Sequence, residues 1–238
     1  MRVLAVGCHP DDLEINAFGT LIRCIQRGDD VFICGVTNGS GGSMTLSPEE
    51  ISKVRIEEAR RAAQLIGAKE YINLGVEDLQ VDARDTRLID QMIDVIRMTK
   101  PDMIITQHPD DYQRDHSEVS DLVFNASFMA TVPNHKTEYP CHSVIAPLFF
   151  MEPSSGNFFH PTDYVGISDV IETKMEALAC HASQIEWLMA HVGKDLLATT
   201  RATAIYRGKL CQAPYAEAFK RSDHALRMTS YRMLPEGK

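Results

Sequence analysis

The chain has 238 residues, enough to bury a substantial core without disulfides or metal staples. Its 33 acidic residues against 24 basic ones give a formal net charge of -9, a field that disfavours nucleic acid and anionic membrane surfaces and suits a neutral or cationic small molecule. Six cysteines lie scattered in apolar stretches with no C-x-x-C pair, the usage of reduced thiols, and the first apolar run is too short for a targeting or membrane-spanning segment, so a soluble cytoplasmic protein is expected.

Arg2 to Gly7 (RVLAVG) reads as a buried strand, and where the next helix should begin the chain places His9, Pro10, Asp11 and Asp12. Two adjacent carboxylates repel and cost free energy to bury, so a positive partner is expected there. A dinucleotide-binding turn needs G-x-G-x-x-G at this point, and the acidic G-C-H-P-D-D argues for a cation instead. With Pro10 opening a helix, His9 and Asp12 stand three residues apart on one side of its first turn, a nitrogen and an oxygen ligand suited to Zn²⁺. Asp11 projects about a quarter turn away, where it reaches a water on the ion rather than the ion itself. Taken alone, the two aspartates fit equally well as a cap that complements a helix dipole.

Leu13, Ala17, Leu21 and Ile25, joined by Phe18 and Ile22, form a stripe at helical spacing that stops at Gly28. A strand from Val31 to Thr37 leads into TNGSGGS, a loop expected to border the site. Ser47, Pro48 and Glu50 supply the N-cap, N1 and N3 of a helix running to Ile66 and ending at Gly67. Tyr71 to Leu74 reads as a strand, Asp85 to Thr99 as a helix closed by Pro101, and Asp102 to Thr106 as a strand. This alternation predicts an α/β fold, a Rossmann-like three-layer sandwich with a mainly parallel central sheet whose sites lie at the carboxyl ends of the strands.

Gln107 to Glu118 (QHPDDYQRDHSE) therefore falls at the same sheet edge as His9. A hydrolytic zinc site needs three protein ligands and an open position, and His116, ahead of a helix from Ser117 through Phe128, is the better third ligand of the two histidines here. Asp115 is expected to orient an imidazole from behind. Beyond about residue 133 the pattern is less regular: strands over Ser143 to Phe150 and Tyr164 to Ile167, helices over Ile171 to Leu188 and Lys194 to Arg207, and loops over 133–140 and 152–161. Lys174 reads as a solvated helix residue, and Met175, Leu178, Trp187, Leu188 and Met189 as core. One domain over residues 1–238 accounts for the whole pattern.

The two acidic motifs together resemble the PIG-L/LmbE family of zinc-dependent de-N-acetylases. The resemblance rests on His9, Pro10, Asp11 and Asp12, on the P-x-D-x-x-x-D-H stretch of Pro109, Asp111, Asp115 and His116, and on Arg55, Asp78 and KMEALACHASQ with Lys174, His181, Ser183 and Gln184. It implies that His9, Asp12 and His116 ligate zinc, that Asp11 is the general base, and that Arg55 and Asp78 lie near the substrate. Two positions depart from the pattern. Ser40 stands where relatives often carry a glutamate, and Gln113 stands where they carry a histidine that stabilises the oxyanion. Glutamine donates a hydrogen bond but carries no charge, so the oxyanion role is open between Gln113 and a C-terminal histidine, His181 or His224. The implied reaction is hydrolysis of an N-acetylated amino sugar or conjugate, with no nucleic-acid or membrane partner and with a homo-oligomer compatible with the chain. An amidase acting on a thiol-sugar conjugate, a non-catalytic metal- or sugar-binding protein and a nucleotide-binding α/β protein are the alternatives.

Overall fold

The computed structural model describes residues 1–153, 156 and 158–237. Its elements are β1 (Arg2–Gly7), α1 (Asp12–Asn16), α2 (Phe18–Arg27), β2 (Asp30–Thr37), α3 (Pro48–Ile66), β3 (Glu70–Val76), α4 (Thr86–Thr99), β4 (Met103–Thr106) and α5 (Arg114–Met129). These are followed by β5 (Leu148–Met151), β6 (Asp163–Gly166), α6 (Ile171–Ala179), α7 (Ala182–Val192), α8 (Leu196–Leu210) and β7 (Ala216–Arg221). The seven strands form one sheet in the order β3-β2-β1-β4-β5-β7-β6. From β3 to β5 every neighbouring pair is parallel, while β7 runs antiparallel to both β5 and β6.

Successive residues of a strand face opposite sides of a sheet, so a sheet covered on both sides demands apolar residues at every position. Val3 and Ala5 of β1 join Ile33, Ile105 and Phe149 in one core with α2 and α6, whereas Leu4 and Val6 join Phe32, Ile104 and Phe150 in a second core with α4 and α5. That is the expected three-layer sandwich. Among the described residues no helix is long and apolar enough to cross a membrane.

Local chemistry sets the helix ends. The Ser47 hydroxyl accepts the Glu50 N–H at 3.3 Å while the Glu50 carboxylate accepts the Ser47 N–H at 2.9 Å, the reciprocal box that the sequence predicts. Gly67, at φ 83°, closes the same helix in a left-handed turn.

Several expectations are revised. The stripe from Leu13 to Ile25 is two helices that break at Ala17. The span Ile171 to Leu188 is likewise broken, and the break puts His181 at the start of α7 with no exposed surface. Of the expected strand Ser143 to Phe150 only residues 148–150 pair in the sheet, where β5 runs one residue further to Met151. Residues 133–140 form neither helix nor strand, and of the expected loop over 152–161 positions 154, 155 and 157 lie outside the described residues. Strand β7 carries no apolar run to announce it; its Glu217 is buried and accepts the Gly19 and Thr20 N–H groups at 2.9 and 2.7 Å. Lys174 is not solvated: it is 1% exposed and its Nζ lies 2.5 Å from that Glu217 carboxylate. Trp187 stacks on His191 at the surface and Met189 is 49% exposed, so neither belongs to the core.

Candidate metal and catalytic site

Strands β1 and β4 are parallel neighbours, with Ala5 paired to Ile105, so the segments that leave them, residues 8–12 and 107–116, emerge side by side. Helix α5 starts at Arg114, earlier than expected, and carries His116 in its first turn. Three side-chain atoms converge there. Nδ1 of His9 lies 3.1 Å from Nε2 of His116, Oδ2 of Asp12 lies 3.3 Å from the same Nε2, and the third edge, from His9 Nδ1 to Asp12 Oδ2, is 3.6 Å. Ligands about 2.0–2.1 Å from a tetrahedral ion stand about 3.3 Å from one another, so the triangle has the dimensions of three vertices around zinc.

The donor set is prepared for a cation. Asp12 Oδ2 accepts the His9 N–H and the Gln107 amide, each at 2.7 Å. Burial by itself raises the Asp12 carboxyl, but His116 and the hydrogen bonds from His9 outweigh it and hold it below the usual carboxylate range. Each imidazole has a carboxylate at its other nitrogen: Asp111 Oδ2 is 2.9 Å from Nδ1 of His116, and Asp115 Oδ2 is 3.5 Å from Nε2 of His9. The partner of His116 is thus Asp111, and Asp115, expected to orient an imidazole, faces that of His9. The reason is helical geometry, because consecutive residues on α5 point to different sides. Such outer carboxylates fix the ring orientation of metal-bound histidines.

Cys8 stands close by, a residue for which the sequence reading had no role. Its thiol approaches Nε2 of His9 at 3.9 Å and lies within 4.8 Å of ligand atoms on His9, Asp12 and His116, and burial pushes it up to about 12. Cys8 therefore joins His9, Asp12 and His116 as a fourth residue able to ligate a metal ion, through a thiol that must lose its proton to do so.

Asp11 is not presented by helical spacing. Its φ of 137° lies in the region that favours glycine, and this turn, rather than a helix opened by Pro10, aims the carboxylate. Arg55 secures it: Nη2 donates to the Pro10 carbonyl at 3.0 Å and to Asp11 Oδ1 at 3.3 Å, while Nη1 donates to the Gly39 carbonyl at 3.2 Å and lies 3.5 Å from Asp78 Oδ2. Burial pushes the Asp11 carboxyl up to about 6, with the Arg55 guanidinium opposing. Asp78 accepts the Gly39 and Gly41 N–H groups at 3.0 and 2.9 Å and so folds the glycine loop over the guanidinium. At Gly39 and Gly42 a Cβ would lie 2.6 Å and 2.7 Å from Arg55 atoms, which is why the loop is written with glycine.

The remaining candidates divide. The Gln113 amide donates to the Tyr112 hydroxyl at 3.2 Å, at the N-cap of α5. His181 is buried with its Nε2 3.0 Å from Glu14; burial opposes its protonation, but the Glu14 carboxylate outweighs this and holds it above the usual histidine range. His224 packs on Phe124 and is solvent-exposed, away from the cluster. Gln107 gave no signal in the sequence beyond its place at the end of β4.

The family model named PIG-L, described as GlcNAc-PI de-N-acetylase, matches residues 4–127. The chain is 29% identical over 228 residues to a diacetylchitobiose deacetylase of Thermococcus kodakarensis, covering 92% of this chain and 82% of that protein. It is 29% identical over 195 residues to a probable N-acetyl-alpha-D-glucosaminyl L-malate deacetylase of Bacillus cereus, covering 79% and 86%. Among solved structures, GalB of Pseudomonas putida, a 4-carboxy-2-hydroxymuconate hydratase, superposes with a TM-score of 0.82 at 21% identity, covering 98% of this chain and all of that one. This last likeness concerns the fold alone.

Proposed function

Because the chain belongs to the PIG-L family of GlcNAc-PI de-N-acetylases, we propose that it removes the N-acetyl group from an amino sugar or amino-sugar conjugate, releasing acetate and a free amine. The observation that carries this reading is the triangle of His9, Asp12 and His116, with edges of 3.1, 3.3 and 3.6 Å. These three residues would hold the metal. Zinc bound there supplies Lewis acidity and a water whose pKa falls from 15.7 to about 7.

Asp111 and Asp115 keep the two imidazoles in orientation. Asp11 takes the proton as water attacks the acetyl carbonyl, and a carboxyl held near 6 both accepts a proton and gives it up to the departing amine. Arg55 and Asp78 hold the base and the glycine loop at the edge of the substrate. Gln113 has a second amide hydrogen, beyond the one given to Tyr112, for the oxyanion. All six cysteines are free, in keeping with a cytoplasmic compartment, and one domain over residues 1–238 carries the activity.

Amine release from a panel of N-acetylated sugars and conjugates, with metal content measured on the same sample, tests this. About one zinc per chain and turnover abolished by chelation and restored by zinc are expected. A zinc-loaded protein that releases no amine from any acetamido compound refutes the reading and returns the site to a binding role.

A further inference from the structure

We propose that Lys174 is a positioning residue for the metal: together with Glu217 it fixes the short helix α1, and through that helix the direction of Asp12. The inference rests on the metal reading of the triangle and is independent of which amide is hydrolysed.

Helix α1 has only five residues, Asp12–Asn16, whereas isolated helices shorter than about 12–15 residues are marginal in water. Its first residue is the carboxylate ligand, so whatever pins the helix aims the ligand. His9 precedes the helix and His116 belongs to α5, and a tilt of α1 therefore displaces Asp12 alone and opens two edges of the triangle, those of 3.3 and 3.6 Å.

The pin is a buried ion pair at the break between α1 and α2. A helix end leaves carbonyls without partners and a helix start leaves N–H groups without them, and here the two kinds of orphan meet at Ala17. Lys174 Nζ, on a residue 1% exposed, donates to the Ile15 carbonyl of α1 at 2.7 Å and to Glu217 Oε1 at 2.5 Å. The two Glu217 oxygens accept the Gly19 and Thr20 N–H groups of α2 at 2.9 and 2.7 Å. The cation thus faces carbonyls and the anion faces amides, the signs that these helix ends favour. Two further bonds complete the hold on α1: the Asn16 amide donates to the Asp12 carbonyl at 3.1 Å, and His181 Nε2 lies 3.0 Å from the Glu14 carboxylate. A buried ion pair adds little net stability over packed apolar side chains, because desolvation offsets the attraction, so what this pair contributes is direction.

Competition for zinc against a chromophoric chelator, in wild type, Lys174→Met and the control Arg207→Met, tests the assignment. In Lys174→Met the Glu217 carboxylate keeps its two backbone donors, so no charge is stranded. Arg207 is an equally buried cation, paired with Glu152 at 2.8 and 2.5 Å, and among the described residues it bonds to nothing in α1. A loss of stability shared by the metal-free and zinc-loaded folds leaves the dissociation constant unchanged, so a merely structural lysine would behave as the control does. We expect zinc to bind about tenfold more weakly in Lys174→Met, the lower end for groups that orient a ligand, and to change by less than about twofold in Arg207→Met. Coupling is reciprocal, so zinc should in turn slow hydrogen exchange at the Gly19 and Thr20 amides of the wild type by about tenfold. Unchanged affinity in Lys174→Met or equal losses in both variants overturns the assignment. If either variant fails to fold, the exchange measurement decides, and amides indifferent to zinc overturn it. A wild type that takes up no zinc refutes the metal site itself, an outcome distinct from these.

Discussion

The two aspartates behind the histidines permit a graded test of the metal site that leaves all three ligands in place. Asp111 Oδ2 lies 2.9 Å from Nδ1 of His116 on a fully buried carboxylate, while Asp115 Oδ2 lies 3.5 Å from Nε2 of His9 and already accepts the Leu79 N–H at 2.6 Å. Asp111→Asn keeps the shape, including the oxygen that accepts the Gln113 N–H at 3.0 Å, and replaces the anion behind the imidazole with a neutral amide. Partners of metal-bound histidines are worth about 10–100-fold in affinity, or about 1.4–2.7 kcal/mol. The short buried contact puts Asp111→Asn toward the upper end, about 30–100-fold, and the longer shared contact puts Asp115→Asn at about tenfold or less. Competition for zinc against a chromophoric chelator measures both dissociation constants. Equal losses, the reverse order, or an unchanged constant for Asp111→Asn would refute the argument that the closer carboxylate does more to orient its ligand.

Two further outcomes follow from the site's geometry. Removing the base should separate chemistry from binding: Asp11→Ala keeps its zinc and loses about 10²–10⁴-fold in turnover, and Asp11→Gly, equally inactive, unfolds at higher denaturant because glycine relieves about 1 kcal/mol of strain at the positive φ. If the glycine variant is no more stable than the alanine variant, the turn is not strained. The His181–Glu14 pair sets a pH dependence of stability. A histidine whose folded value is raised contributes fully below its unfolded value of about 6.5, and that contribution fades as pH rises through the folded value, so the stability gap between wild type and His181→Gln should narrow from pH 6 to pH 9. A gap that is flat or widening in chemical denaturation contradicts the charged pair.

Much of the fold is legible because periodicity survives packing. Of the five parallel strands, β1, β2, β4 and β5 are mainly apolar and buried as a doubly covered sheet requires, while the edge strand β3 is partly exposed, and Ser47, Gly28 and Gly67 mark helix ends through local hydrogen bonds and backbone freedom. What escapes is whatever depends on a partner distant in sequence. Strand β7 hides because its Glu217 is neutralised by Lys174 and two backbone amides from α2, a fact no local pattern contains. The contrast between Asp111 and Asp115 is similar: both stand near His116 in the chain, and only the turn of α5 decides which imidazole each one faces. Helical spacing predicts the direction of Asp11 from a regular first turn, whereas a single residue at positive φ, held by Arg55 from another element, directs the carboxylate.

One guanidinium thus serves as the common anchor for the segments following β1, β2 and β3. Changes in any of these three stretches are felt by the other two, so their effects on turnover will not combine independently, and a loop transplanted from a relative will function only if its backbone still meets Arg55. Diversification of this enzyme is therefore easiest on the far side of the sheet edge, where α8 can vary without disturbing that anchor.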